Sequence, residues 1–209
     1  MKKGLKVTLS FLLAIVFMFP VTPAYAVTEQ CSHGYRVFND RVLNGGVGSY
    51  GYYHRYYYAD SSLPSDYFTY SSTAVSEWVN TSPGGPNVTT SISIIRTTTK
   101  SASTFDVYNT FLDPGVTGEA RFYIYSTRIY DPSSQNWGWG EVHLPCSYHD
   151  TLGYSSQKRT GIIAHEFGHL MGLSHTPYNN ASLMYPYDSG RIATRAVATD
   201  CWTINHLYG

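Results

Sequence analysis

The chain has 209 residues, 43% of them hydrophobic and 16% aromatic with 20 Tyr, but only 13% charged, about half the usual charged share. Fourteen basic and fourteen acidic side chains cancel to a net charge of zero, so no basic field exists for non-specific nucleic-acid binding. The apolar content excludes global disorder, and the lack of heptads, collagen triplets or solenoid-length repeats excludes fibres and repeat arrays.

Residues 1–26 read as a secretory leader. Lys2, Lys3 and Lys6 form a positive start, Val7 to Phe19 is apolar, and Ala24-Tyr25-Ala26 offers small residues at a cleavage site. As helix that apolar run spans about 20 Å, short of the roughly 30 Å of a bilayer core, so it predicts a removed signal rather than an anchor. Loss of three lysines turns the secreted chain mildly acidic. No later stretch is apolar enough to cross a membrane.

Residues 27–50 are expected to be irregular, with a turn at Asn44-Gly45-Gly46. The aromatic run Tyr52–Tyr58 predicts a strand. Phe68, Val75, Trp78 and Val79 recur at helical spacing and predict a helix over 66–80. Further strands are expected at Val88–Thr99, Phe105–Phe111, Ala120–Ile129 and Gly138–Leu144, separated by turns such as Asp113-Pro114-Gly115. A helix over 155–172 and a last one over Thr194–Leu207 complete an α+β fold with a mixed five-stranded sheet, one domain over 51–209. Export permits disulfides, and Cys31, Cys146 and Cys201 predict one bridge plus one buried thiol, the pair left open.

The chemistry is concentrated in His165-Glu166-Phe167-Gly168-His169. Residues four apart on a helix share a face, so both imidazoles can reach one Zn²⁺. Glu166, beside the first ligand, is placed to act as general base on a zinc-bound water and to return the proton to a leaving amine. Gly172 can take positive φ, end the helix and turn the chain so that His175 supplies a third nitrogen. Three histidines with an open fourth position suit a catalytic zinc rather than a structural one.

The pattern His165 to His175, followed by Met184 in Ser182-Leu183-Met184-Tyr185-Pro186, resembles the metzincin metalloproteases and their Met-turn. Within them the order of elements and the ending Ile204-Asn205-His206-Leu207-Tyr208 resemble matrixins of the peptidase M10 type, in a minimal, bacterial-style secreted form. The resemblance implies a twisted metzincin-like sheet, Met184 packed beneath the zinc-binding imidazoles, and Asp200 hydrogen-bonded to the Met-turn backbone. It also implies a substrate laid along an edge strand near Ala120–Tyr125, with Pro186 and Tyr187 in the pocket wall. The family's Pro-x-Tyr is here a contiguous pair. The His/Asp-rich loop that carries a structural zinc and calcium in matrixins has no counterpart, so one zinc per chain is expected. His143 is read as structural, and His149 with Asp150 as a solvated loop pair.

These readings converge on a secreted zinc metalloendopeptidase, monomeric, acting on protein or peptide substrates and not on nucleic acid or membranes. A zinc-fold binding or toxin-like protein, and a zinc hydrolase of cell-wall peptides, remain as alternatives. Glu166 argues against a pure binding scaffold, which has no use for a base at that position.

Overall fold

The computed structural model describes residues 30–32, 35–81 and 85–209, with side chains described from residue 35 onward. The expected leader, 1–26, therefore lies outside the described residues, as does the side chain of Cys31. Two short strands, β1 (Gln30–Ser32) and β2 (Tyr35–Val37), pair antiparallel where irregular chain was expected.

The main sheet has six strands: β3 (Arg55–Ala59), β4 (Ile94–Thr97), β5 (Phe105–Asn109), β6 (Glu119–Ile124), β7 (Thr127–Ile129) and β8 (Trp139–Leu144). Their order is β4-β3-β5-β8-β6-β7. The first four in that order run parallel, while β6 is antiparallel to β8 and to β7. The count rises from five to six because Tyr125, at φ 52°, folds the expected Ala120–Ile129 strand into a hairpin. The Val88–Thr99 strand contracts to β4 for a different reason. Tyr50 N–H donates to Ser91 O, and Ser93 N–H donates to Val47 O, so a loop rather than a strand satisfies this backbone.

Helix α1 (Ser65–Val79) and helix α3 (Ser156–Leu170) pack on each other, with α3 lying across β6 and β8. Two indoles fix this layer. Trp78, fully buried, donates from Nε1 to Ala164 O at 2.8 Å; Trp137 donates to Leu170 O at 2.9 Å, satisfying a carbonyl of the last helical turn. Thr160 to Leu170 are all buried, the pattern of a central helix rather than a surface one. Short helix α2 (Cys146–Thr151) precedes α3, and α4 (Ala198–Tyr208) closes the chain.

Cys146 and Cys201 are both buried free thiols, so neither takes part in the expected bridge. Burial pushes each up to about 12, which keeps them protonated and unreactive. His149 does not sit in a solvated loop. It lies on α2, fully buried, with Nε2–H donating to Thr117 O at 2.6 Å and Nδ1 accepting from Tyr67 Oη at 2.8 Å. Asp150, beside it, is exposed and pairs with Arg159 at 2.6 Å.

Candidate metal centre and catalytic site

Helix α3 starts on Ser155, whose hydroxyl accepts from Lys158 N–H at 3.2 Å. It ends in a paired closure around Gly172, at φ 101°. Gly172 N–H donates to His169 O at 2.8 Å and Leu173 N–H to Gly168 O at 3.1 Å, the two bonds of a Schellman turn. The chain then reverses, and the N-terminal ribbon holds it in place. Phe38 N–H donates to Gly172 O at 3.3 Å, and Ser174 N–H donates to Arg36 O at 3.0 Å. His175 is thereby delivered to the same face as His165 and His169.

The three imidazoles meet through Nε2. His169 Nε2 lies 3.0 Å from His165 Nε2 and 3.2 Å from His175 Nε2. His165 Nδ1 is 2.7 Å from Leu183 O, and His169 Nδ1 is 2.8 Å from Leu173 O. A carbonyl can only accept, so each Nδ1 carries the hydrogen and each Nε2 keeps its lone pair. Converging lone pairs repel unless a cation lies among them. Burial lowers the pKa of all three, His165 well below its ordinary value, His169 to about 3 and His175 to about 4, with Arg191 and neighbouring imidazoles adding to the effect. Protonation is thus disfavoured and neutral nitrogen ligands are what the site presents. This donor set fits Zn²⁺.

Glu166, next to His165 on the helix, is 6% exposed, with its carboxyl lying close to Gly118 on the way into β6. Burial pushes its carboxyl up to about 8, while the charge of Arg191 and the N–H of Ala120 pull the other way. Met184 is buried at the floor. A Cβ on Gly168 would collide with its sulfur and come within 3.0 Å of Trp78, so only glycine lets the turn lie this close to the helix. Asp200 organises that turn, accepting from Ser182 Oγ at 2.6 Å, Leu183 N–H at 3.1 Å and Val197 N–H at 2.9 Å. Leu183 therefore donates its N–H to the carboxylate while its carbonyl accepts from His165. Thr176 N–H donates to Met184 O at 2.8 Å, tying the third histidine's strand to the same turn.

Pro186 is half-buried and Tyr187 exposed, its ring edge-on to Tyr185 at 5.8 Å. Tyr187 O accepts from Gly190 and Arg191 N–H, and this turn carries the Arg191 side chain back toward the histidines. Motif and spacing gave no sign of Arg191. It is a lone cation in a Gly/Ser-bearing turn, visible only once the turn is folded. On the outer face of the sheet, His143 has both nitrogens engaged, Nδ1 accepting from Thr110 Oγ1 and Nε2–H donating to Glu141, each at 2.8 Å. Among the described residues, His165, His169 and His175 form the one cluster of three or more potential ligands.

A family model described as Matrixin, Peptidase M10, matches residues 92–209, which is more than half of the chain. Stromelysin-3 of Rattus norvegicus is 37% identical over 70 residues, 34% of this chain. The match spans 14% of that protein's length. Two solved structures are similar in shape: the GM1-bound form of the ECX AB5 holotoxin, at TM-score 0.47 and 15% identity, covering 80% of this chain and 86% of that one, and myroilysin, at TM-score 0.45 and 14% identity, covering 80% and 97%.

Proposed function

The chain belongs to the matrixin family of metalloproteases, and from that premise we propose that it is a secreted zinc-dependent metalloendopeptidase, with residues 51–209 as its catalytic domain. The observation that carries the reading is the convergence of three imidazole Nε2 atoms, two of them left unprotonated by Nδ1–H bonds to backbone carbonyls. His165, His169 and His175 would hold the zinc. Bound there, zinc would supply Lewis acidity toward a scissile carbonyl and lower the pKa of an attacking water.

The rest of the work falls to this chain's own side chains. Glu166 takes the proton of the attacking water and passes it to the leaving amine. Burial raises the Glu166 pKa in the metal-free site, which favours the protonated form that hands the proton on to the amine. Leu183 O and Leu173 O fix the imidazole tautomers, and Met184 and Asp200 keep the floor rigid. Strand β7 covers only Phe122–Ile124 of β6, so Glu119–Arg121 offer a backbone edge on which an extended peptide can lie as an added strand. Pro186 and Tyr187 would form the adjoining wall. Export rests on the leader, residues 1–26; no described helix is long and apolar enough to cross a membrane. The substrates are then extracellular proteins or peptides, and the enzyme acts as a monomer.

The test is casein cleavage by the purified mature chain, with and without chelator, beside Glu166→Ala. Expected are loss of cleavage with chelator and a fall of about 10²- to 10⁴-fold in the variant. Equal rates for the two proteins would remove Glu166 from the mechanism. A peptide-library digest read by mass spectrometry separates general proteolysis from hydrolysis confined to cell-wall peptides.

A further inference from the structure

Arg191 is a cation placed where the proposed reaction leaves it without a partner. Among the described residues no carboxylate lies within ion-pair distance of it, and its one hydrogen bond is a long one, Nη1 to Tyr185 O at 3.5 Å. The nearby acid on its own turn, Asp188, is already engaged. Its carboxylate accepts from Tyr154 Oη and pairs with Lys158 at 3.4 Å. The other acid in electrostatic reach is Glu166, which the proposed mechanism needs for proton transfer.

The guanidinium is also within electrostatic reach of all three imidazoles. Burial lowers its own pKa, with Glu166 and Asp188 pulling it back up. A divalent ion at the histidines adds to this positive charge, and Glu166 offsets only part of the sum. The partly buried guanidinium presents a planar fork of donors that fits a carboxylate in two-point fashion.

We propose that Arg191 is a specificity-determining residue that binds a carboxylate of the substrate, so that the enzyme prefers Asp or Glu within two residues of the scissile bond. This rests on the reading of the chain as a zinc endopeptidase. No bond changes at Arg191; it recognises charge and geometry beside the reacting centre.

The experiment uses the zinc-loaded mature chain. A peptide-library digest identifies the position of acid enrichment, and matched peptides carrying Glu, Gln or Lys there give the ratio of kcat/KM for Glu over Gln. A charge-assisted pair in this setting corresponds to a ratio of about 10 to 100. The ratio is expected to fall to about one in Arg191→Gln, to take an intermediate value in Arg191→Lys, and to shrink with added NaCl in the wild type. Should Arg191→Gln not fold, the Lys variant and the salt dependence carry the test.

A flat ratio in a wild type that cleaves casein would overturn the selectivity and leave the endopeptidase reading standing. A ratio that persists in Arg191→Gln would also overturn it. So would an equal drop for all three peptides with a common shift in pH profile, since that is the signature of a residue that only tunes Glu166. A zinc-loaded wild type that cleaves neither casein nor any peptide would overturn the endopeptidase reading and this inference together.

Discussion

Buried histidines occur in two regions of this molecule and are held in opposite ways. His143 on the outer sheet face and His149 on α2 have both ring nitrogens hydrogen-bonded, one as donor and one as acceptor. His165 and His169 have Nδ1 anchored to a backbone carbonyl, and Nε2 pointed at other lone pairs. The difference teaches that burial does not mark a ligand. An anchored ring with an unshared, inward lone pair does.

The sharpest way to break that contrast is to remove one histidine from each region. His169→Ala should weaken zinc affinity about 100-fold or more and abolish proteolysis. His149→Leu should retain about one zinc per chain while costing about 1–3 kcal/mol of stability through unpaired Tyr67 and Thr117 groups. Elemental analysis after dialysis and thermal unfolding read the two effects. Zinc loss in His149→Leu, with the fold intact, would erase the distinction.

Asp200→Ala probes the support beneath the centre. Three donors lose their acceptor, for an expected cost of about 2–4 kcal/mol. Because Leu183 connects Asp200 to His165, zinc affinity should also fall about 10-fold. A destabilised variant with unchanged zinc affinity would show that the turn does not orient the ring. Gly168→Ala is milder. Its methyl must displace Met184 or Trp78, and overpacking of that kind costs about 1–3 kcal/mol, measured by urea unfolding.

The remaining test is in pH, where several groups act together. In the metal-free protein the folded-state pKa values of His169 and His175 are depressed to about 3 and about 4, and those of His149 and His165 are also lowered, all by burial first. A group with a depressed folded pKa binds its proton in the unfolded chain first. Stability is therefore unaffected above the unfolded value near 6.5 and declines as pH falls toward 4, by up to about 1.4 kcal/mol per pH unit for each such group. Unfolding of chelated protein between pH 7 and 4 checks the slope; zinc should raise the whole curve without flattening its upper part, since the folded imidazoles are already neutral there and the bound ion only stabilises the folded state.

The sequence exposed the centre because its ligands lie on one short stretch with helical spacing, and Gly172 announces where the helix turns. Helices α1 and α3 were legible to within two residues from apolar periodicity, whereas α4 starts four residues after the expected Thr194 and α2 reads as loop. What escaped depended on partners distant in sequence. Residues 88–93 have strand composition, but Val47 and Tyr50 occupy their backbone. Tyr125 makes a hairpin turn without the Asn-Gly signal such turns favour. His149 reads as a loop residue until Tyr67 and Thr117 enclose it. Arg191 has no pattern at all.

The stitching of Gly172 and Ser174 to Phe38 and Arg36 bears on the order of folding. The ligand stretch is local, yet its last turn is fixed from one side by residues more than 130 positions earlier and from the other by Met184 O, in the turn that Asp200 holds. Contacts of such wide sequence separation form late, after loop closure has been met. A helix alone can align His165 and His169, but the third nitrogen arrives only when both flanking segments have docked. The rate of tight zinc capture by a refolding chain should then match the slowest folding phase, so that the metal serves as a clock for completion of the fold.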